Sequence, residues 1–153
     1  MANIVFNVAK GRIVELYNRV ENNDPANSAL VLVPIETSGL ESDATLIDAD
    51  TLTALLAGTT NEQTTMGRKV LTDADLAALP APDDTNDRYE VSLPTVTWTA
   101  ATGNAISKIA VCYDADTTGG TDANIIPLTL FDFVVTPSGV DVQMTGGVFF
   151  RAS

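Results

Sequence analysis

The chain has 153 residues, with 20 Asp and Glu against eight Lys and Arg, a formal net charge of −12 and no His. This balance argues against binding to nucleic acid or anionic membranes, because phosphate contacts need Lys and Arg. The absence of His removes the usual general base at neutral pH and the commonest transition-metal ligand.

A single domain over residues 1–153 is expected, because 45% hydrophobic residues suffice for a sizeable core. Residues 1–8 could form an extended N-terminal arm, and the Pro/Asp-rich residues 80–87 an internal linker. The single cysteine allows no internal disulfide, and the start has neither a basic region nor a long apolar run. We therefore expect synthesis in the cytoplasm without a signal peptide or membrane span.

The N-terminal half of the sequence predicts both short strands and short helices. After a possible strand or ordered arm at 4–8, apolar residues at helical spacing predict a short helix. They are Ile13, Leu16, Tyr17 and Val20. The Val and Ile content leaves a strand over 11–16 open. The continuous apolar run at 29–35 predicts a buried strand, with Pro34 near an edge or an end.

Four weaker elements follow. Residues 48–58 are compatible with a helix capped by Asp48 or Asp50 and ended by Gly58. Residues 59–67 are polar and predict an exposed loop, and 68–72 could form a strand. Residues 72–79 could form one helical turn, with Asp73 and Asp75 as capping charges.

From residue 87 onward, short alternating apolar runs are separated by Gly, Pro and Asn turn signals. The predicted strands cover 88–93, 96–99, 106–113, 125–135, 139–144 and 148–151. Both faces of the 106–113 run are mostly apolar, which predicts a central strand. The predicted fold class is mainly β (α+β): an antiparallel β-sandwich or barrel with one to three short helices in the N-terminal half.

One segment suggests a metal site. Asp114, Asp116 and Thr118 occupy the first, third and fifth places of a calcium-loop pattern, Gly119 the sixth and Asp122 the ninth. The twelfth place holds Ile125 instead of a bidentate Glu, and strands flank the loop. Asp114, Asp116 and Asp122 are thus weak calcium candidates, and an Asp/Gly-rich turn is the simpler interpretation.

No other residue pattern indicates catalysis or a cofactor. Cys112 lies in a predicted strand with no His available as a base, which favours a buried small hydrophobe. Trp98 is more typical of a sandwich core than of a ligand platform. The acidic residues at 83–87 are more typical of solvated turns. We therefore expect no enzyme activity and no cofactor.

The two termini carry the candidate contact residues. Ile4, Val5 and Phe6 are apolar, and Phe149 and Phe150 lie in an apolar strand close to the end of the chain. Such a strand must pair within its own sheet or with a neighbour, because an open apolar edge invites aggregation. We expect Ile4, Val5 and Phe6 at a partner contact, and Phe149 and Phe150 in the sheet or an oligomer seam.

Several segments together carry a family resemblance. They are residues 10–20, 23–30, 83–88, 111–122 and 149–153. The chain resembles a family of small proteins encoded among the structural genes of tailed bacteriophages, and the resemblance spans nearly its whole length. Members are usually described as hypothetical or virion structural proteins. The resemblance therefore implies a particle component and assigns no catalytic residues.

Within the virion, the leading hypothesis is a capsid decoration (cement) protein on the head surface. It would bind the major capsid protein in many copies as a homo-oligomer, with a trimer favoured. The alternatives are a tail or head–tail connector component, or a host-surface-binding module. The low aromatic content of 6% disfavours a glycan-binding module, and an enzyme ranks last.

Overall fold

A computed structural model describes residues 4–153. Nine strands, three short α-helices and two 3₁₀ turns (Asn7–Ala9 and Asp122–Asn124) make up the regular structure of this range. The strands are β1 (Ile4–Val5), β2 (Ala29–Glu36), β3 (Lys69–Leu71), β4 (Tyr89–Leu93), β5 (Val96–Ala101), β6 (Ile106–Asp114), β7 (Ile126–Val135), β8 (Val140–Met144) and β9 (Gly147–Ala152). The helices are α1 (Ile13–Glu21), α2 (Asp43–Leu46) and α3 (Leu52–Leu55).

Five strands form the central sheet, in the order β1-β7-β6-β2-β3 with every neighbouring pair antiparallel. β6 lies in the middle, and eight of its nine residues are buried. This burial confirms the prediction of a central strand, because only a strand covered on both faces excludes water from every side chain. Pro34 lies near the end of β2, beyond the stretch that pairs with β3.

The remaining four strands form a bent ribbon that packs on the sheet. β4 pairs with β9, and β5 pairs with β8, both antiparallel. The bend lies where Pro94 and Thr95 face Gly146. A Cβ atom at Gly146 would lie 2.7 Å from the Pro94 carbonyl carbon, so only glycine allows the two chains to approach this closely. The Gly146 N–H donates to Thr95 Oγ1 at 2.9 Å.

The two faces of the sheet have different covers. On one face, the Phe133 ring of β7 lies 6.4 Å from the Trp98 ring of the ribbon. Asp132 points to the opposite face, because successive strand side chains alternate. There the buried Lys108 Nζ lies 2.8 Å from Asp132 and 3.1 Å from Asp43 of α2. The ribbon thus covers one face, and the segment containing α2 covers the other.

Helix α1 follows its apolar pattern. Ile13, Leu16, Tyr17 and Val20 are all buried, so the alternative of a strand over 11–16 is wrong. On the exposed side, Arg19 Nε lies 2.9 Å from Glu15 Oε1. Such an i,i+4 pair supports a short helix weakly, so burial of the apolar face is the main stabilising contribution.

The helix predicted over 48–58 is shorter, and its cap is different. α3 spans only Leu52–Leu55, and Thr51 Oγ1 accepts a hydrogen bond from the Ala54 N–H at 3.1 Å. Asp48 instead accepts a hydrogen bond from the Asn7 side chain. The sequence also did not predict α2, where Ser42 is the N-cap. Residues 73–75 form a turn, and no helix forms over 72–79.

The loop predicted to be exposed at 59–67 is partly buried. Thr60 and Gln63 are each only 1% exposed. The Gln63 amide donates to the carbonyl oxygens of Thr102 and Asn104, and its oxygen accepts from the Met66 N–H. Buried polar groups need hydrogen-bond partners, and the bonds from Gln63 join this loop to the turn after β5.

The predicted fold class is confirmed. The chain is mainly β with antiparallel sheets, and the three short α-helices of the described range all lie before residue 56. The strand bounds in the C-terminal half agree with the predicted runs to within one or two residues. Alternation of apolar residues between turn signals was therefore a sufficient guide to this part of the fold.

Candidate functional site

The two terminal strands meet at one cavity. Ile4 and Val5 of β1 lie on one side, and Phe149 of β9 lies on another, although about 145 residues separate them along the chain. The cavity has a volume of about 250 Å³. Its walls are Ile4, Val5, Leu93, Thr129, Phe131, Met144, Thr145, Gly147, Val148 and Phe149. Three of the five predicted contact residues thus surround the same space.

β1 is positioned by its pairing with β7. Ile4 lies opposite Leu130 and Val5 opposite Thr129, and the Phe6 N–H donates to the Leu128 oxygen at 3.0 Å. In an antiparallel ladder, alternate residues direct both backbone groups to the partner strand. Since Phe6 and Ile4 face β7, the N–H and C=O of Val5 point to the open edge. β7 is the only strand partner of β1 within residues 4–153.

β9 is fixed by pairing with β4 and by an aromatic contact. Phe149 stacks on Tyr17 of α1, with ring centroids 6.3 Å apart and ring planes at 30°. The Tyr17 hydroxyl donates to the Ala77 oxygen at 2.8 Å. Burial raises the pKa of Tyr17, so its hydroxyl stays neutral at physiological pH. Together, these contacts hold the wall of the cavity formed by β9 against the helix.

The cavity walls hold no charged residue, and they include one polar group without a partner. Thr129 is 4% exposed, and its hydroxyl makes no hydrogen bond. An unsatisfied buried hydroxyl costs about 1–3 kcal/mol relative to a satisfied one. Thr129 was not a candidate in the sequence, because a Thr between Leu128 and Leu130 is ordinary in a strand. Only its lack of a partner makes it notable.

The other predicted contact residues have different environments. Phe6 is fully buried in the core, so its expected contact with a partner does not occur in this fold. The reason is local: the chain turns inward at Asn7–Ala9, a 3₁₀ turn whose N-terminal Asn7 N–H bonds the Ile47 oxygen. Phe150 is half-buried and lies opposite Val91 within the ribbon. Residues 1–3 of the predicted arm lie outside the described range.

The Asp-rich loop after β6 is held by its own side chains. Asp114 Oδ1 accepts from the Asp116 N–H at 3.0 Å, and Asp116 Oδ1 accepts from the Thr118 N–H and hydroxyl. The hydrogen bonds from Thr118 lower the pKa of Asp116. These are the local turn bonds that Asp side chains make with nearby backbone.

Asp122, the third calcium candidate, contacts a cation. Arg68 donates to both of its oxygens at 2.7 and 2.9 Å, and to both oxygens of Glu62. Hydrogen bonding to Arg68 lowers the pKa of Asp122. Within residues 4–153, no three His, Cys, Asp or Glu side chains are grouped so that they could hold a metal ion. The structure does not bring Asp114, Asp116 and Asp122 together as ligands.

Two side chains that can be reactive in other proteins, a cysteine and a lysine, are buried in the core. Cys112 is completely buried, and burial raises the pKa of its thiol far above neutrality, which leaves it inert. Lys108 is fully buried between Asp43 and Asp132 and joins the sheet to α2. Its hydrogen bond lowers the pKa of Asp132. No local pattern indicates this group, because its two acids lie 65 and 24 positions from the lysine.

None of the helices in the described part of the chain is long and apolar enough to cross a bilayer. Comparison with protein-family models, with curated proteins and with solved structures finds no match to this chain.

Proposed function

We propose that this chain is a structural protein of a tailed-bacteriophage virion: a capsid decoration (cement) protein that stabilises the head shell. It binds the major capsid protein on the outer surface as a homo-oligomer, with a trimer favoured. The observation that carries the proposal is the convergence of both terminal strands on one cavity whose side chains are mostly apolar and uncharged. In a chain of net charge −12, such a region is suited to contact with another protein.

Burial of apolar surface supplies the binding free energy in this proposal. At roughly 25 cal/mol per Å², about 400 Å² of apolar surface contributes about 10 kcal/mol. Association itself costs about 4–15 kcal/mol in lost freedom of motion, so one small contact per subunit holds weakly. An oligomer that engages several capsid subunits at once gains avidity without new contacts. This arithmetic favours a homo-oligomer over a monomer.

Two exposed aliphatic side chains offer a second contact surface. Val134 is 81% exposed at the end of β7, and Val140 is 62% exposed at the start of β8. Both flank the connection at 136–139. Covering them removes apolar area from water, which suits the seam between subunits of the oligomer.

The arrangement of polar groups supports a role in binding and not in catalysis. Three acidic side chains have structural partners. Asp122 accepts hydrogen bonds from Arg68, Asp132 accepts one from Lys108, and Asp116 accepts one from the Thr118 N–H in a turn. Their pKa values are lowered, whereas a general acid needs a raised one. Hydrolytic activity that depends on one of these acids would contradict the proposal.

Co-sedimentation with capsids that lack the protein tests this function. We expect saturable binding with on the order of hundreds of copies per shell, as local symmetry positions on a head require. Binding limited to a single ring of copies would instead identify a connector component. Removing residues 1–8 is a poor test, because it deletes the core residue Phe6. Val148→Lys is better suited to testing whether the cavity is the contact, since Val148 is 47% exposed there.

A further inference from the structure

We infer that the cavity is a strand-addition site: an extended segment of the partner protein pairs with the open edge of β1 and inserts one apolar side chain into the cavity. This inference rests on the proposed function for the identity of the partner. The site itself is defined by Val5, Thr129, Val148 and Phe149, which belong to three different strands.

The backbone of β1 supplies the first element of the site. The Phe6 N–H donates to β7, and the preceding residue of an antiparallel ladder directs its backbone groups the other way, so the N–H and C=O of Val5 point away from the sheet, at the rim of the cavity. An unpaired strand edge is a template for another extended chain. A partner segment that pairs with Val5 would continue the five-stranded sheet by one strand. Main-chain pairing supplies affinity in this mode, and side-chain pockets supply specificity.

The cavity supplies the second element. Its volume of about 250 Å³ exceeds the roughly 150 Å³ that suffices for a benzene-sized molecule. A Leu, Ile, Met or Phe side chain therefore has room. The wall side chains are apolar apart from two threonines, and none is charged. A charged anchor residue would lose its hydration here without gaining a counter-ion.

The Thr129 hydroxyl supplies the third element and favours a peptide over a purely apolar molecule. It is buried and has no partner in the free protein. A rotation about its χ1 angle exchanges the hydroxyl and methyl positions between staggered conformers. A peptide N–H or C=O at the cavity would give the hydroxyl the hydrogen bond it lacks, whereas a hydrocarbon would not.

The net negative charge of the chain indicates which residues flank the inserted side chain in the partner segment. With 20 acidic residues against eight basic ones, long-range attraction favours Lys or Arg on either side of the inserted residue. The partner segment that binds here is thus extended, with one large aliphatic or aromatic residue for the cavity and a basic residue on each side of it. A second copy of this acidic chain is less favourable at this edge.

The test uses three blocked peptides and amide NMR of the full chain. The probe is the pentapeptide Lys-Val-Leu-Val-Lys. One control has an N-methylated central leucine, and the other is Lys-Ser-Gly-Ser-Lys. We expect the probe to shift the Val5, Thr129 and Phe149 amide signals saturably. N-methylation removes a backbone donor, so binding should weaken by about fivefold, and the Ser/Gly peptide should not bind.

A matched pair of variants locates the site. Val148 at the cavity and Val70 on β3 are both 47% exposed, and β3 is the opposite edge of the sheet from β1. Val148→Lys should weaken probe binding by about tenfold or more, because it places a charge at the apolar mouth. Val70→Lys should leave it unchanged. Equal effects of the two variants, or shifts confined to other residues, would overturn the inference.

Two further results separate this inference from the proposed function. If Val148→Lys still binds capsids as the unmodified chain does, strand addition here is wrong while a decoration role stands. If the probe binds as expected but capsids do not bind, the site is real and the decoration role fails. Shifts at Val5 and Phe149 that follow protein concentration without peptide would identify a second copy as the occupant, which overturns the inference.

Discussion

Replacing Thr129 with Val should stabilise the free protein. The change removes a buried hydroxyl that has no hydrogen-bond partner and puts a methyl group in its place. An unsatisfied buried polar group costs about 1–3 kcal/mol, and a buried carbon contributes about 0.8 kcal/mol. We therefore expect the free energy of unfolding to rise by about 1 kcal/mol or more, which raises the Tm of a chain of this size by about 2–4 °C.

Thr60→Val is the matched control and should have the opposite sign. Thr60 is 1% exposed, but its hydroxyl accepts from the Glu41 N–H and donates to Glu41 Oε2, both at 3.2 Å. Its removal leaves those groups unpaired and should cost about 1–3 kcal/mol. Urea denaturation of both variants with an unchanged m-value is the assay. If Thr129→Val loses as much stability as Thr60→Val, the Thr129 hydroxyl has a partner in the free protein and is not available to a bound peptide.

Three further changes have defined outcomes. Acid should destabilise the protein, because a hydrogen bond from Lys108 lowers the pKa of Asp132 in the folded state. The stability that ionised Asp132 contributes is present above its unfolded-state pKa of about 4 and is lost as the pH falls through its folded-state pKa. Asp132→Asn should flatten this acid limb in urea titrations between about pH 5 and pH 2. Gly146→Ala should destabilise the ribbon by about 1–3 kcal/mol, because the new Cβ meets backbone at 2.7 Å, whereas Gly147→Ala enters open space; equal urea midpoints would contradict this. Cys112 should react with a thiol reagent only on unfolding, since burial raises the pKa of its thiol; fast labelling of the native protein would refute it.

The strands of the C-terminal half were predictable because their signal is local. Alternation along β4 or the apolar run of β6 depends on neighbours two residues away, and turn-forming residues such as Gly, Pro, Asn and Asp lie between the strands. The short helices were harder to predict, because a helix of four residues has too few apolar positions to show a periodic pattern. α3 depends on a cap by Thr51, and the Asp residues nearby gave an equally plausible start at 48 or 50.

The candidate site was only partly predictable, because it depends on pairings between distant segments. The sequence identified Ile4, Val5 and Phe149 as apolar residues needing a partner, but nothing in it placed β1 beside β7. Phe6 belongs to the same apolar run and yet turns into the core. Side-chain direction at the end of a two-residue strand depends on tertiary packing and not on the local pattern.

Electrostatic partners were the least predictable feature. Asp122 fits a calcium-loop pattern by spacing, yet Arg68, 54 positions earlier, takes both of its oxygens. A spacing motif describes which groups are available and does not describe the cations that compete for them. Thr129 shows the converse, because a residue ordinary by sequence becomes notable once its surroundings leave it unpaired.

Quantitative co-sedimentation with capsids lacking the protein tests the decoration proposal most directly. The unmodified chain and Val70→Lys should bind saturably with the same apparent affinity, while Val148→Lys, at the cavity between the terminal strands, should bind at least about tenfold more weakly. Absence of saturable binding by the unmodified, folded chain would contradict the account, and the protein would then need a partner other than the head shell.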